Sequence, residues 1–165
     1  MNAMLLTLAT LPLMSIPSAY RTAADAAAVP APILYAIALT ESGQPLVGGL
    51  RPWPWSLNVA GDSQFFTSRR DAWLCLQQAL AVHRNVDVGL MQVSWRYHAD
   101  ELDSPWQALH PQWNLAVGAA ILKDCFDDRQ NWSLAIGCYH APNDPTRASA
   151  YRERVERHLS TIERN

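Results

Sequence analysis

Apolar residues crowd the stretch PAPILYAIALTESG, Pro30 to Gly43, and Leu34, Ile37 and Ala38 share one helix face with Glu41 at three- and four-residue spacing. The pattern predicts a helix starting near Pro30 or Pro32, where first-turn N–H groups have no intrahelical partner to lose. It should end at Gly43, a residue suited to a left-handed cap. RPWPWSLNVAGDSQFFTS then predicts two short strands, Trp55 to Val59 and Gln64 to Thr67, around an Ala-Gly-Asp turn. Ser68 is placed to cap a second helix running to about His83, and VDVGLMQVSW reads as a loop entering a short helix. Leu115, Ala119, Leu122 and Phe126 mark another helix, and Asn131 is placed to cap WSLAIGCYH. Asp144-Pro145 opens a last helix with Tyr151, Val155, Leu159 and Ile162 along one face. The expected class is mostly α, an α+β arrangement with one small β-hairpin.

Length and composition narrow this picture. A chain of 165 residues, 49% hydrophobic and 17% charged, suits one domain with a real core. A net charge near −2 with scattered basic residues argues against nucleic acid as a partner. The apolar run Met4 to Ile16 has the length of a signal-peptide core, although no Lys or Arg precedes it. Small residues follow, with cleavage expected after Ala19 or between Ala24 and Ala28. Residues 1–28 are therefore read as signal peptide and short linker, with 29–165 as the domain; the Ala-rich piece from Arg21 to Val29 is the linker, and a buried or frayed N-terminal helix is the alternative. Export to the periplasm, with no membrane span after processing, is the expectation. Cys125 and Cys138 flank a turn between two helical patterns and are disulfide candidates, a pairing that fits an oxidising compartment. Cys75 reads as a small apolar core residue.

Candidate chemistry centres on Glu41. A carboxyl on an apolar face, in the last turn of a helix, meets two effects of one sign. Desolvation and the negative end of the helix dipole both disfavour its charge. A glutamate kept protonated near neutral pH can serve as a general acid. The five histidines are dispersed without zinc-ligand spacing, and His98 is a lone surface candidate for which a structural role is expected. No nucleophile elbow or phosphate-cradling glycine loop is present, and neither a metal nor a cofactor is expected.

Three motifs follow Glu41-Ser42 in order: GLMQVSW (Gly89 to Trp95), NLAVGAAIL (Asn114 to Leu122) and AIGCYHAP (Ala135 to Pro142). Over roughly Pro30 to Tyr151 the chain resembles the soluble lytic transglycosylase (SLT) domain of the goose-type-lysozyme-like superfamily, which cuts bacterial peptidoglycan. The resemblance implies Glu41 as the sole catalytic acid/base. It also implies substrate contacts from Gln92 and the backbone around Met91, an orienting role for Tyr139, and a lesser role for Ser42. Trp53, Trp55, Phe66 and His140 are candidates for the cleft wall. The implied reaction cleaves the MurNAc-(β1,4)-GlcNAc bond with formation of 1,6-anhydroMurNAc. A muramidase of the same fold, using water with Asp87 or Asp62 as second carboxylate, is the nearest alternative. A non-catalytic wall-binding subunit is the other. Small proteins of this kind accompany conjugation and secretion machines, so machine subunits join glycan strands as expected partners of a monomer.

Two departures from the family pattern matter. Here 48 residues separate Glu41 from Gly89, more than is usual, and the insertion is expected to form a lid or wall along the cleft. The usual Tyr-Asn-x-Gly element reads Tyr139-His140-Ala141-Pro142, and proline cannot take the positive φ open to glycine.

Overall fold

A computed structural model describes residues 15–163. Helix α1 (Ser18–Ala27) leads into α2 (Ala31–Ser42), which begins after Pro30 and carries Pro32 in its first turn. Every residue of α2 from Ile33 to Leu39 is buried. The helix is thus enclosed on all sides, by α1, by the last helix α8 (Pro145–Glu163) and by strand β2 (Gly49–Pro52). One apolar stripe understated this. A helix apolar all round belongs in the middle of a core.

The end of α2 also corrects the expectation. Gly43 has φ −60° and ψ 125°, so it is extended and not left-handed. Glycine is required there for space, since a Cβ would lie 2.3 Å from the Leu39 carbonyl oxygen. The chain turns directly into strand β1 (Gly43–Leu46), which pairs antiparallel with β2 through a turn at Val47-Gly48.

The segment 21–29, read as a linker, is mostly helix. Tyr20 and Ala24 of α1 are buried, and the Tyr20 ring meets Tyr35 edge-on at 4.8 Å. Cleavage between Ala24 and Ala28 would cut this helix near its end. Residues 1–14, most of the apolar run assigned to a signal peptide, lie outside the described residues, and Ile16 packs half-buried on the core.

One small hairpin was expected, and the insertion holds more. A four-stranded antiparallel sheet has the order β4-β3-β5-β6, comprising β3 (Ser56–Val59), β4 (Asp62–Phe65), β5 (Val86–Val88) and β6 (Val93–Ser94). Ala60 and Gly61 both take positive φ, the backbone of the tight hairpin turn foreseen at Ala-Gly-Asp. Between β4 and β5, α3 (Arg69–Val82) starts at Ser68, whose hydroxyl accepts from the Asp71 amide. Cys75 on α3 is half-buried against the core, as its apolar reading expects, and its thiol also donates to Gln64 Oε1 at 3.3 Å.

Helices α4 (Trp95–Leu102) and α5 (Pro105–Ala108) lead to the long α6 (Pro111–Arg129). Then comes α7 (Trp132–His140), capped by the Asn131 side chain on the Leu134 amide. Cys125 of α6 and Cys138 of α7 form a disulfide with Cα atoms 5.8 Å apart. Helices α6, α7 and α8 pack in sequence, and α8 returns against α2. The result is a mainly helical α+β fold of lysozyme-like class, with the sheet joined to the end of α2. Among the described residues no single helix is long and apolar enough to cross a membrane.

Candidate active site

The loop between β5 and β6 is built before anything can bind to it. Gly89 at φ +78° and Gln92 at φ +44° close a tight turn, with the Gln92 amide donating to the Gly89 carbonyl at 3.1 Å. Asn114, 1% exposed on α6, fixes this turn with its whole side chain. Its Oδ1 accepts from the Met91 amide at 2.9 Å, and its Nδ2 donates to Val88 O at 2.8 Å and Ala108 O at 3.1 Å. A buried amide with three hydrogen bonds is strongly position-determining, because losing it orphans three backbone groups. Close approach does the rest. A Cβ at Gly89 would lie 2.7 Å from Asn114, and one at Gly118 2.6 Å from Met91.

Three further bonds tie this turn to its neighbours. Ser42, the last residue of α2, donates from Oγ to Leu90 O at 2.8 Å. Ser56 of β3 donates to Gly89 O at 3.0 Å. The Tyr139 hydroxyl donates to Met91 O at 2.8 Å. Helix α2, the sheet and α7 therefore converge on residues 89–92.

These bonds revise several sequence expectations. Ser42 is 1% exposed and its hydroxyl is spent on the Leu90 and Ala38 carbonyls, so it positions the loop and is not open to a ligand. Met91 is fully buried, and both its backbone N–H and its carbonyl are already bonded. Tyr139 bonds to Met91 and not to Glu41, though the two side chains interact electrostatically. Gln92 keeps a ligand-ready end. Its Nε2 donates to Gly89 O at 2.9 Å and to Ser56 Oγ at 3.1 Å, which orients Oε1 as the remaining acceptor.

Glu41 stands one residue before the end of α2, with its side chain 14% exposed. Burial pushes its carboxyl up from an ordinary 4.5 to about 7. The Tyr151 hydroxyl opposes that rise, the Asp87 carboxyl adds to it, and Arg154 opposes it. Yet neither Glu41 Oε1 nor the Tyr151 hydroxyl has a hydrogen bond of good geometry among the described residues. Tyr151 is therefore close enough to bias the charge without holding the carboxyl in place. The nearest basic atom is His140 Nδ1, 4.0 Å from Glu41 Oε1.

Asp87 lies within β5, directly ahead of the Gly89 turn, where burial raises its carboxyl and the Ser94 hydroxyl partly offsets that. Asp62 is exposed at the hairpin and accepts from Gln64 Nε2. Trp55 and Phe66 pack on the core, while Trp53 is half-buried with its Nε1 donating to Phe66 O at 2.7 Å. Sequence reasoning left Tyr151 in the core stripe of α8 and gave Asn114 and Ser56 no role. A tyrosine hydroxyl in an otherwise apolar stripe was the available signal. Among the described residues no cluster of metal-ligating side chains occurs.

Residues 77–158, close to half of the chain, match the family model of the transglycosylase SLT domain. The match spans the 89–92 turn, Asn114, Tyr139 and Tyr151, and starts after Glu41. No curated protein and no solved structure matches the chain. Residues 77–158 thus carry a transglycosylase SLT domain of lysozyme-like fold, a match that supports a lytic-transglycosylase-type, peptidoglycan-modifying activity.

Proposed function

We propose that Glu41 is the single acid/base of a lytic transglycosylase that cleaves the MurNAc-(β1,4)-GlcNAc bond. The observation that carries this reading is the state of its carboxyl: largely buried, raised to about 7, with no hydrogen bond to Oε1 among the described residues, on the residue next to Ser42, which bonds to the 89–92 turn. A protonated carboxyl with a free oxygen has a proton to give and no internal competitor for it. Glu41 protonates the glycosidic oxygen, and the leaving sugar departs with that proton. The neighbouring acetamido group assists at the anomeric carbon, a substrate-assisted route. Gln92 Oε1 accepts from the acetamido N–H. The Glu41 carboxylate then takes the proton of the muramic 6-hydroxyl as that oxygen bonds to the anomeric carbon. The 1,6-anhydro ring closes without consuming water, and Glu41 is again protonated.

A second reading has one observation behind it. The half-buried Asp87 carboxyl acts on Glu41, so two acids share one region, as hydrolytic glycosidases require. Digesting purified sacculi and weighing the products separates the readings. Anhydro-ended muropeptides, lost in Glu41→Gln, support the lyase; reducing ends, lost in Asp87→Asn, support the muramidase. No release by either form leaves a wall-binding scaffold. We further propose that the chain works in the periplasm, on local wall for an envelope-spanning conjugation or secretion machine. The apolar run Met4 to Ile16 and the Cys125–Cys138 bridge support export.

A further inference from the structure

We propose that His140 is a positioning residue for Glu41: Arg147 fixes its tautomer so that a neutral Nδ1–H faces the Glu41 carboxyl and steadies the carboxylate left after proton donation. The inference rests on the reading of Glu41 as the acid.

Three contacts define the arrangement. His140 ends α7 and stacks flat on the Tyr151 ring, with centroids 4.5 Å apart and planes 5° from parallel. One edge of the imidazole carries Nδ1, 4.0 Å from Glu41 Oε1. The other edge carries Nε2, 3.5 Å from Arg147 Nη2. A guanidinium only donates, so Nε2 must be the acceptor, and a neutral imidazole then has its single proton on Nδ1. The stack on a buried tyrosine holds the ring plane, and Glu41 lies at the protonated edge.

The groups around the ring favour its neutral form. Glu41 faces it from α2, while Arg147, Arg154 and Tyr151 face it from α8. Burial, then Arg147, then Arg154 hold the imidazole below its ordinary range. Neutrality matters to the chemistry. An imidazolium this close would draw the proton off Glu41 before sugar binds, and the resulting ion pair would be a poor base for ring closure. A neutral N–H makes only a long contact with the protonated acid. It strengthens into a charge-assisted hydrogen bond once Glu41 is ionised. No proton passes through His140; it returns to Glu41 from the sugar hydroxyl.

The test is the pH profile of soluble muropeptide release from purified sacculi. Wild type should show an alkaline limb set mainly by Glu41 and an acid limb set mainly by His140, as apparent values of the pair. In His140→Ala the maximal rate should fall roughly ten- to hundredfold, the worth of one hydrogen bond to a charged group. His140→Asn keeps an N–H donor but cannot titrate, so it should restore most of that rate without the acid limb. Arg147→Gln, an exposed change, should move the acid limb towards neutral pH. It carries the test if the alanine variant does not fold. An Arg147→Gln profile identical to wild type, or a His140→Ala rate and profile identical to wild type, overturns the proposal. In either case an inactive Glu41→Gln leaves the acid assignment standing. An active Glu41→Gln removes the premise itself.

Discussion

Replacing Glu41 with glutamine should make the protein more stable, and more so as the pH rises. Burial moves the carboxyl from 4.5 to about 7. Ionising it therefore costs roughly 3 kcal/mol more in the folded chain than in the unfolded one. Below about pH 4.5 the side chain is protonated in both states, and the penalty is absent. Between that pH and about 7 the unfolded chain has released the proton while the folded chain keeps it. Wild-type stability therefore falls by about 1.4 kcal/mol for each pH step. Above about pH 7 both states are ionised and the full penalty remains. Glutamine has a similar shape and no charge to bury, so Glu41→Gln escapes this loss. Urea unfolding followed by circular dichroism, from about pH 4 to about pH 8, should show the two proteins diverging with pH. A gap of roughly 3 kcal/mol at the alkaline end corresponds to about 6–12 °C in Tm for a domain of this size. A gap that does not change with pH, or a variant less stable than wild type at pH 8, would refute the premise that this carboxyl is kept uncharged by its surroundings.

Three other outcomes follow from the packing around the 89–92 turn and the helical half. Asn114→Ala leaves the Met91 amide and the Val88 and Ala108 carbonyls without their partner, and should cost about 3 kcal/mol in a denaturant titration. Gly118→Ala improves helix propensity by about 1 kcal/mol. Its Cβ would nonetheless lie 2.6 Å from Met91, so the net change should be a loss of about 1–3 kcal/mol with reduced muropeptide release. The bridge between Cys125 and Cys138 closes a short loop, and the double serine variant should lose about 3 kcal/mol, read as a lower urea midpoint insensitive to reductant.

Much of the fold was legible where local chemistry and tertiary packing agree. Ser68 and Asn131 cap their helices as their side chains dictate, and Ala60-Gly61 turns a hairpin because its backbone needs two positive φ values. The Glu41 niche was legible as well, since an acid amid Leu34, Ile37 and Ala38 announces its own burial. What escaped depends on distant partners. The β1–β2 hairpin is half-exposed and only four residues long on each side; β1 does not alternate and carries Pro45. Segment 21–29 is Ala-rich and looks featureless until Tyr20 finds Tyr35. Gly43 looks like a left-handed cap, whereas its lack of a side chain serves the Leu39 carbonyl. Tyr151 sits at helical spacing with Val155 and Leu159, so its hydroxyl is invisible as chemistry until α8 is laid beside α2.

The account depends above all on a glutamic acid that remains protonated while solvent carboxylates are not. Selective 13C labelling of glutamate, with the Glu41 carboxyl assigned by its absence in Glu41→Gln, permits a direct NMR titration. A midpoint near 7 is the predicted result. A midpoint near 4.5, the value of an exposed glutamate, would contradict it.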